Sequence, residues 1–224
     1  MCIEHIRNAI GAYQRNFLEL FAASLFIALI GSFASYFGAQ FSGPSDFSSM
    51  YMLLLFSPFV VILTAVSVIV SAGIVKMCAE SLKGRTDLHT LQATFNAKWR
   101  TILFANVLVI LIAFATLVPV LLLAAVPLGL YLGVAVWLLF IILFSFVDQA
   151  IVISNKKAIE SVYFSFNMAR KKYVQILLLF AVLGLVFVLP MILLNRYELL
   201  QTFFSTLVSP LVTLSITSLY LSKK

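Results

Sequence analysis

The side chains able to carry chemistry are few and scattered. His5 and His89 are the two histidines, and neither sits in an HExxH or other metal-ligating pattern. There is no paired aspartate motif, no nucleophile elbow of the G-x-S-x-G type and no Walker-type phosphate loop. The six methionines are dispersed, and the spacing of Cys2 and Cys78 matches no zinc site. Asp148 and Glu19 lie near the ends of long apolar runs rather than inside them. An ionised group at the bilayer centre costs at least about 2.5–3.5 kcal/mol, so its absence speaks against proton-coupled or charged-substrate transport. No catalytic residue, cofactor site or metal site is assigned, and the chain is expected not to be an enzyme. An enzyme acting on lipid headgroups would centre on Asp148 and His89.

Hydrophobic surface is what the sequence has in abundance. Of 224 residues, 63% are hydrophobic and 10% charged, with 21 Phe and a mean hydropathy of +1.12. Soluble domains run nearer ~45–50% apolar and ~25% charged. This composition excludes a cytosolic globule, a disordered chain and a disulfide-stapled secreted module. The net charge of +7 comes from only fifteen cations and eight anions, so no nucleic-acid partner is expected. A bilayer core needs ~20 apolar residues per helix, and six such stretches occur at 17–39, 51–75, 101–122, 126–147, 173–194 and 200–221. They are continuously apolar, not alternating, which favours helices over barrel strands. Pro119 and Pro127 flank an uncharged stretch that is expected to turn tightly between the third and fourth spans.

Charge orients these spans. Fourteen of the fifteen Lys and Arg fall on one face if the count is six, and only Arg196 falls on the other. An odd count would destroy that asymmetry. The positive-inside bias places the cationic face and both termini in the cytoplasm. Cys2 and Cys78 are expected on that reducing face, so no disulfide framework is implied. The first apolar run is too long for a cleavable leader and is expected to remain as an anchor.

The segments preceding the odd-numbered spans share one period. Ile3, Ile6, Ile10, Tyr13 and Phe17 are spaced 3, 4, 3 and 4. Leu88, Leu91, Phe95, Lys98 and Ile102 repeat that spacing, as do Ile159, Val162, Phe166, Ala169 and Tyr173. An apolar stripe with cations beside it describes an amphipathic helix lying in the membrane interface. The fold class predicted is an all-α integral membrane protein with six transmembrane helices. It is built as three repeats of an interfacial amphipathic helix plus a transmembrane hairpin, spanning 1–80, 81–154 and 155–224 of a single membrane domain. Arg15, Arg100, Lys171 and Lys172 stand at the junctions and are candidate lipid-headgroup contacts. Glu19 follows Arg15 by four residues and is expected to pair with it.

Within the spans, Ala125, Gly129 and Gly133 form a small-residue seam, as do Ser24, Ala28 and Ser32, and Ser67 with Ser71. Ser205, Ser209, Thr213 and Thr217 make a hydroxyl stripe along the last span. Such a stripe serves either as a polar pathway or as bonding to helix carbonyls, and the second is the more ordinary use.

The stretch from Val118 to Gln175 resembles the YciC-like family of bacterial inner-membrane proteins, which have six spans. The matching elements are Pro127 with Gly129, Val147–Asp148, Ser161 with Ser165, and Arg170 to Lys172; the Phe41–Asp46 segment (FSGPSD) is similar too. Leu128 separates the proline from the glycine where the family has them together. The resemblance implies a bacterial inner (cytoplasmic) membrane location and transfers no catalytic residue. The expected role is that of a non-enzymatic multi-pass scaffold or accessory factor in envelope or lipid homeostasis. Its partners would be membrane lipids, with anionic headgroups foremost, and a second copy or another membrane protein. The alternative is a small transporter or channel for an uncharged or lipidic solute, lined by the hydroxyl stripe.

Overall fold

The computed structural model describes the backbone of residues 2–40, 47–123, 127–193 and 198–222. Every regular element among these residues is helical: α1 (Cys2–Arg15), α2 (Phe17–Gln40), α3 (Phe47–Ser81), α4 (Leu88–Leu123), α5 (Pro127–Phe144), α6 (Val147–Val152), α7 (Ala158–Lys171), α8 (Tyr173–Leu193) and α9 (Glu198–Leu221). Helices satisfy their own backbone groups, which a hydrocarbon environment requires. Four described segments are long and apolar enough to cross a membrane: Val61–Ser81, Leu88–Thr116, Ala135–Val152 and Leu200–Leu221. The bent pair α1–α2 makes a fifth if it counts as one span. The chain is thus all-α and of membrane-embedded character. α4 runs through Pro119 to Leu123, and α5 starts on Pro127, a proline at the first helical position. The residues between them, including Ala125 of the small-residue seam, lie outside the described residues, as do Phe41–Asp46, Arg196, Lys223 and Lys224.

The long helices pack in a closed order. α2 lies on α3, α3 on α4, α4 on α5, α5 on α8, α8 on α9, and α9 returns to α2. Each segment with the amphipathic period packs on a helix from the preceding stretch of this circuit: α1 on α9, the start of α4 on α3, and α7 on α5. Gly73 lies in close approach at the second of these contacts: a Cβ there would stand 3.1 Å from Leu91 Cγ and require that side chain to shift. The buried clusters follow the same junctions. Ala9, Ala12, Leu20, Met77 and Leu214 join α1, α2, α3 and α9. Ile69, Ile102, Ile151 and Val162 join α3, α4, α6 and α7. Ile142, Phe146, Ala169, Ile176 and Leu219 join α5, the turn before α6, α7, α8 and α9. All three clusters lie toward the end that carries the basic turns, while the outward faces of α2, α4 and α8 expose Phe26, Leu29, Phe104, Leu111, Leu178 and Leu185. A broad apolar exterior of this kind suits lipid.

The amphipathic stripes are divided between two environments. In α1, Ile6 and Tyr13 pack against the bundle while Ile3, Ile10 and the following Phe17 are exposed. In α7, Val162 and Ala169 are buried while Ile159, Phe166 and the following Tyr173 are exposed. The two stripes therefore alternate position for position. The middle segment departs from them: α4 continues unbroken from Leu88 into its apolar half, with Phe95 partly buried and Ile102 fully buried. α1 and α2, by contrast, meet at 94°.

Leu20 is fully buried at the first junction, whereas Leu29 is 61% exposed on the outward face of the same helix. Leu20→Ala should lower stability by about 2–5 kcal/mol through lost burial and a residual cavity. Leu29→Ala should change it far less; thermal unfolding in detergent, followed by circular dichroism, compares the two.

Candidate functional site

The bends at the basic end are held by polar side chains. Asn16 stands between α1 and α2, where its backbone N–H is shared between the carbonyls of Ala12 and Tyr13, 3.2 Å from each. Its amide competes with the helix, as asparagine does when it can reach nearby backbone. Nδ2 donates to Ala12 O at 3.1 Å, Ser81 Oγ at 2.8 Å and Gly84 O at 3.1 Å, and Oδ1 accepts from the Thr86 N–H at 2.9 Å. Ser81 Oγ also donates to Ala12 O at 3.1 Å. One buried residue thus ties the α1–α2 bend to the end of α3 and the turn after it.

Comparable clamps stand at the other bends. Lys172, at the break between α7 and α8, donates through Nζ to Leu219 O at 3.1 Å and Ser222 Oγ at 3.0 Å. It satisfies an end carbonyl of α9 and complements the negative end of that helix dipole. Ser165 accepts from the Phe146 N–H at 3.1 Å and donates to Leu143 O at 2.8 Å, across the break between α5 and α6. Asn155 adopts φ 55°, and the following Lys156 N–H donates to Ala150 O at 3.1 Å, which ends α6.

Two open clefts lie between these bends. The first, about 450 Å³, runs between α3, the start of α4 and the end of α6, and includes Lys76, Glu80, His89, Thr90, Lys98 and Asn155. Its cations are engaged: Lys76 faces Glu80 at 4.0 Å, and Lys98 donates to Asn155 Oδ1. Thr90 donates to Glu80 at 2.7 Å. The second, about 520 Å³, lies between α1, the end of α3 and the end of α9, and includes Arg7, Asn8, Arg15, Lys83 and Ser218. Ser218 Oγ also lies 3.0 Å from His5 Nδ1. Burial, and then the positive charge of Lys172, hold the His5 pKa below its ordinary 6.5.

The sequence candidates separate on this frame. Arg15 is exposed and lines the second cleft. Arg100 is exposed over the Trp99 ring, 5.1 Å from its centroid, and Lys171 is exposed at the end of α7. Lys172 turns inward as a helix-end clamp. Arg15 and Glu19 form no ion pair: the helix breaks at Asn16 between them, so the spacing of four no longer places them on one face. Cys78 is fully buried, so its placement near the basic end does not make it accessible. In the hydroxyl stripe, Ser205 donates to Thr202 O at 2.8 Å and Thr213 to Ser209 O at 3.2 Å. Ser209 is exposed, Thr217 is fully buried with no hydrogen-bond partner among the described residues, and none of the four lines either cleft. Asp148 accepts from Asn106 Nδ2 at 3.5 Å, while His89 faces the first cleft, which Asp148 does not line. Among the described residues no group of three His, Cys, Asp or Glu could hold a metal. Sequence reasoning singled out Arg15 but missed the Asn16 clamp and the meeting of Arg7 and Lys83; an asparagine within an apolar junction was the available signal for the first. Comparison with family models, curated proteins and solved structures finds no match for this chain.

Asn16→Ala would strand the buried Thr86 N–H and leave Ser81 with one partner fewer. Each orphaned buried group costs about 1–3 kcal/mol, so the variant should melt earlier and exchange amide hydrogen faster across 81–86 than elsewhere in the chain. Asn16→Asp keeps the acceptor and loses the donors, and should fall between the two. Hydrogen exchange read by mass spectrometry checks both.

Proposed function

We propose that this chain is a non-enzymatic, six-span protein of the bacterial inner membrane that engages anionic lipid at its cytoplasmic face and acts as a scaffold or accessory factor in envelope or lipid homeostasis. The observation that carries this reading is an apolar exterior ending in exposed cations without acidic partners: Arg7, Arg15, Lys83, Arg85 and Lys171 make no ion pair among the described residues. Each suitably placed cation adds about 1 kcal/mol of attraction to an anionic surface. The likeness of the α1 and α7 stripes supports the threefold repeat of 1–80, 81–154 and 155–224. The order in which each basic segment packs on a preceding helix supports it further. The inner-membrane location rests on the charge asymmetry and on the resemblance to the YciC-like family. A transporter lined by the hydroxyl stripe gains no support, because its hydroxyls are spent on α9 itself or left without a cleft.

Reconstituted into discs of mixed phosphatidylglycerol and phosphatidylcholine, the protein should enrich phosphatidylglycerol in its lipid shell. Neutralising Arg15, Arg100 and Lys171 together to Gln should reduce that enrichment. Equal shells for both lipids around the wild type would overturn the lipid reading. For orientation, a cysteine at Arg85, in the exposed turn after α3, should escape an impermeant thiol reagent in intact cells and react once the membrane is opened. Labelling in intact cells would reverse the topology.

A further inference from the structure

We infer that the cleft between α1, the end of α3 and the end of α9 is a specific site for the headgroup phosphate of an anionic phospholipid. This rests on the lipid reading above and assigns it a place. The two clefts of this end are built alike: each is walled by a segment of amphipathic period, by the end of the helix on which that segment packs, and by the chain that closes the following hairpin. What differs is charge. In the first cleft Glu80 and Asn155 already occupy Lys76 and Lys98. In the second, Arg7, Arg15 and Lys83 line one space with no carboxylate among the lining residues, and none of the three forms an ion pair among the described residues. Two guanidinium groups and an ammonium around one space provide the donors that a phosphate accepts, with bidentate geometry available from each arginine.

Gly11 is the second observation. It lies midway between Arg7 and Arg15 on α1, one turn from each, where a helix interior ordinarily favours alanine. Its backbone needs no left-handed conformation, and a Cβ added there would meet nothing within 4 Å. No packing contact explains the glycine, but its missing side chain leaves the floor of the cleft open between the two arginines. Phe17 and Leu18, both exposed, open α2 just after the Asn16 bend and offer acyl chains an apolar surface near Arg15. A lipid therefore suits the cleft better than a free anion, which would use the cations alone.

Full-length protein in mild detergent, titrated with phosphatidylglycerol and read by native mass spectrometry, tests the assignment. Wild type should show one lipid held more tightly than the rest. Arg7→Gln with Lys83→Gln should weaken that lipid by about fivefold per cation removed. Lys76→Gln with Lys98→Gln, equal in charge and confined to the first cleft, should leave it unchanged. Gly11→Leu keeps every charge, fills the cleft and should also lose the tight lipid; unchanged melting of the variant shows that the fold is kept. Equal losses in the two charge variants, or retention of the tight lipid in Gly11→Leu, would overturn the site while leaving general anionic enrichment intact. Displacement of the lipid by millimolar inorganic phosphate would identify a free-anion site and overturn the lipid assignment.

Discussion

The architecture depends on how the chain bends at its basic end without abandoning backbone polar groups. Helices that enter a low-dielectric layer carry unsatisfied carbonyls and amides at their ends, and each must find a partner. Here single side chains supply those partners across elements. Asn16 bonds to Ala12, Ser81, Gly84 and Thr86. Lys172 does so for the end of α9, and Ser165 for the break before α6. Because each clamp reaches from a bend to a different helix, the bends and the helix order are fixed together.

That coupling explains where the core lies. The apolar helices need no buried interior along their outward faces if lipid surrounds them, so specific packing concentrates where the amphipathic segments wedge against the bundle. The three buried clusters lie at those wedges. A side effect is that one wedge leaves three cations around an open space, while its counterpart neutralises its own. The difference between Glu80 in one cleft and the absence of a lining carboxylate in the other is a local sequence choice on a shared scaffold.

Much of this was legible in the sequence. Long apolar runs give the all-α class, and the 3-4-3-4 spacing marks α1 and α7 as distinct amphipathic helices before their apolar neighbours. The spacing could not tell which edge of each stripe meets protein, because Ile10 and Tyr13 are equally apolar yet one is exposed and the other packed. Nor could it show that the same period in 88–102 continues into one unbroken helix, where Thr101 holds the place that Asn16 and Lys172 hold at the other two junctions. The Arg15–Glu19 pairing failed for the converse reason: helical spacing was assumed through a residue whose side chain ends the helix. Lys172 looked like Arg15 and Lys171 in a basic run, and only the approach of α9 gives it a separate task. Arg7 and Lys83 are far apart in the chain, so their meeting belongs to tertiary structure alone.

The central claim is that the first amphipathic segment closes the bundle by lying along the last helix, which builds the basic cleft. His5 and Ser218, whose polar atoms are 3.0 Å apart, report on this contact directly. With Cys2 and Cys78 replaced by serine and alanine, cysteines at 5 and 218 should be joined within one chain by a short bifunctional thiol reagent in native membranes. Peptide mapping would find that link in most of the monomer. A pair that stays unlinked under conditions that label each cysteine singly, or that links only between chains, would contradict the account.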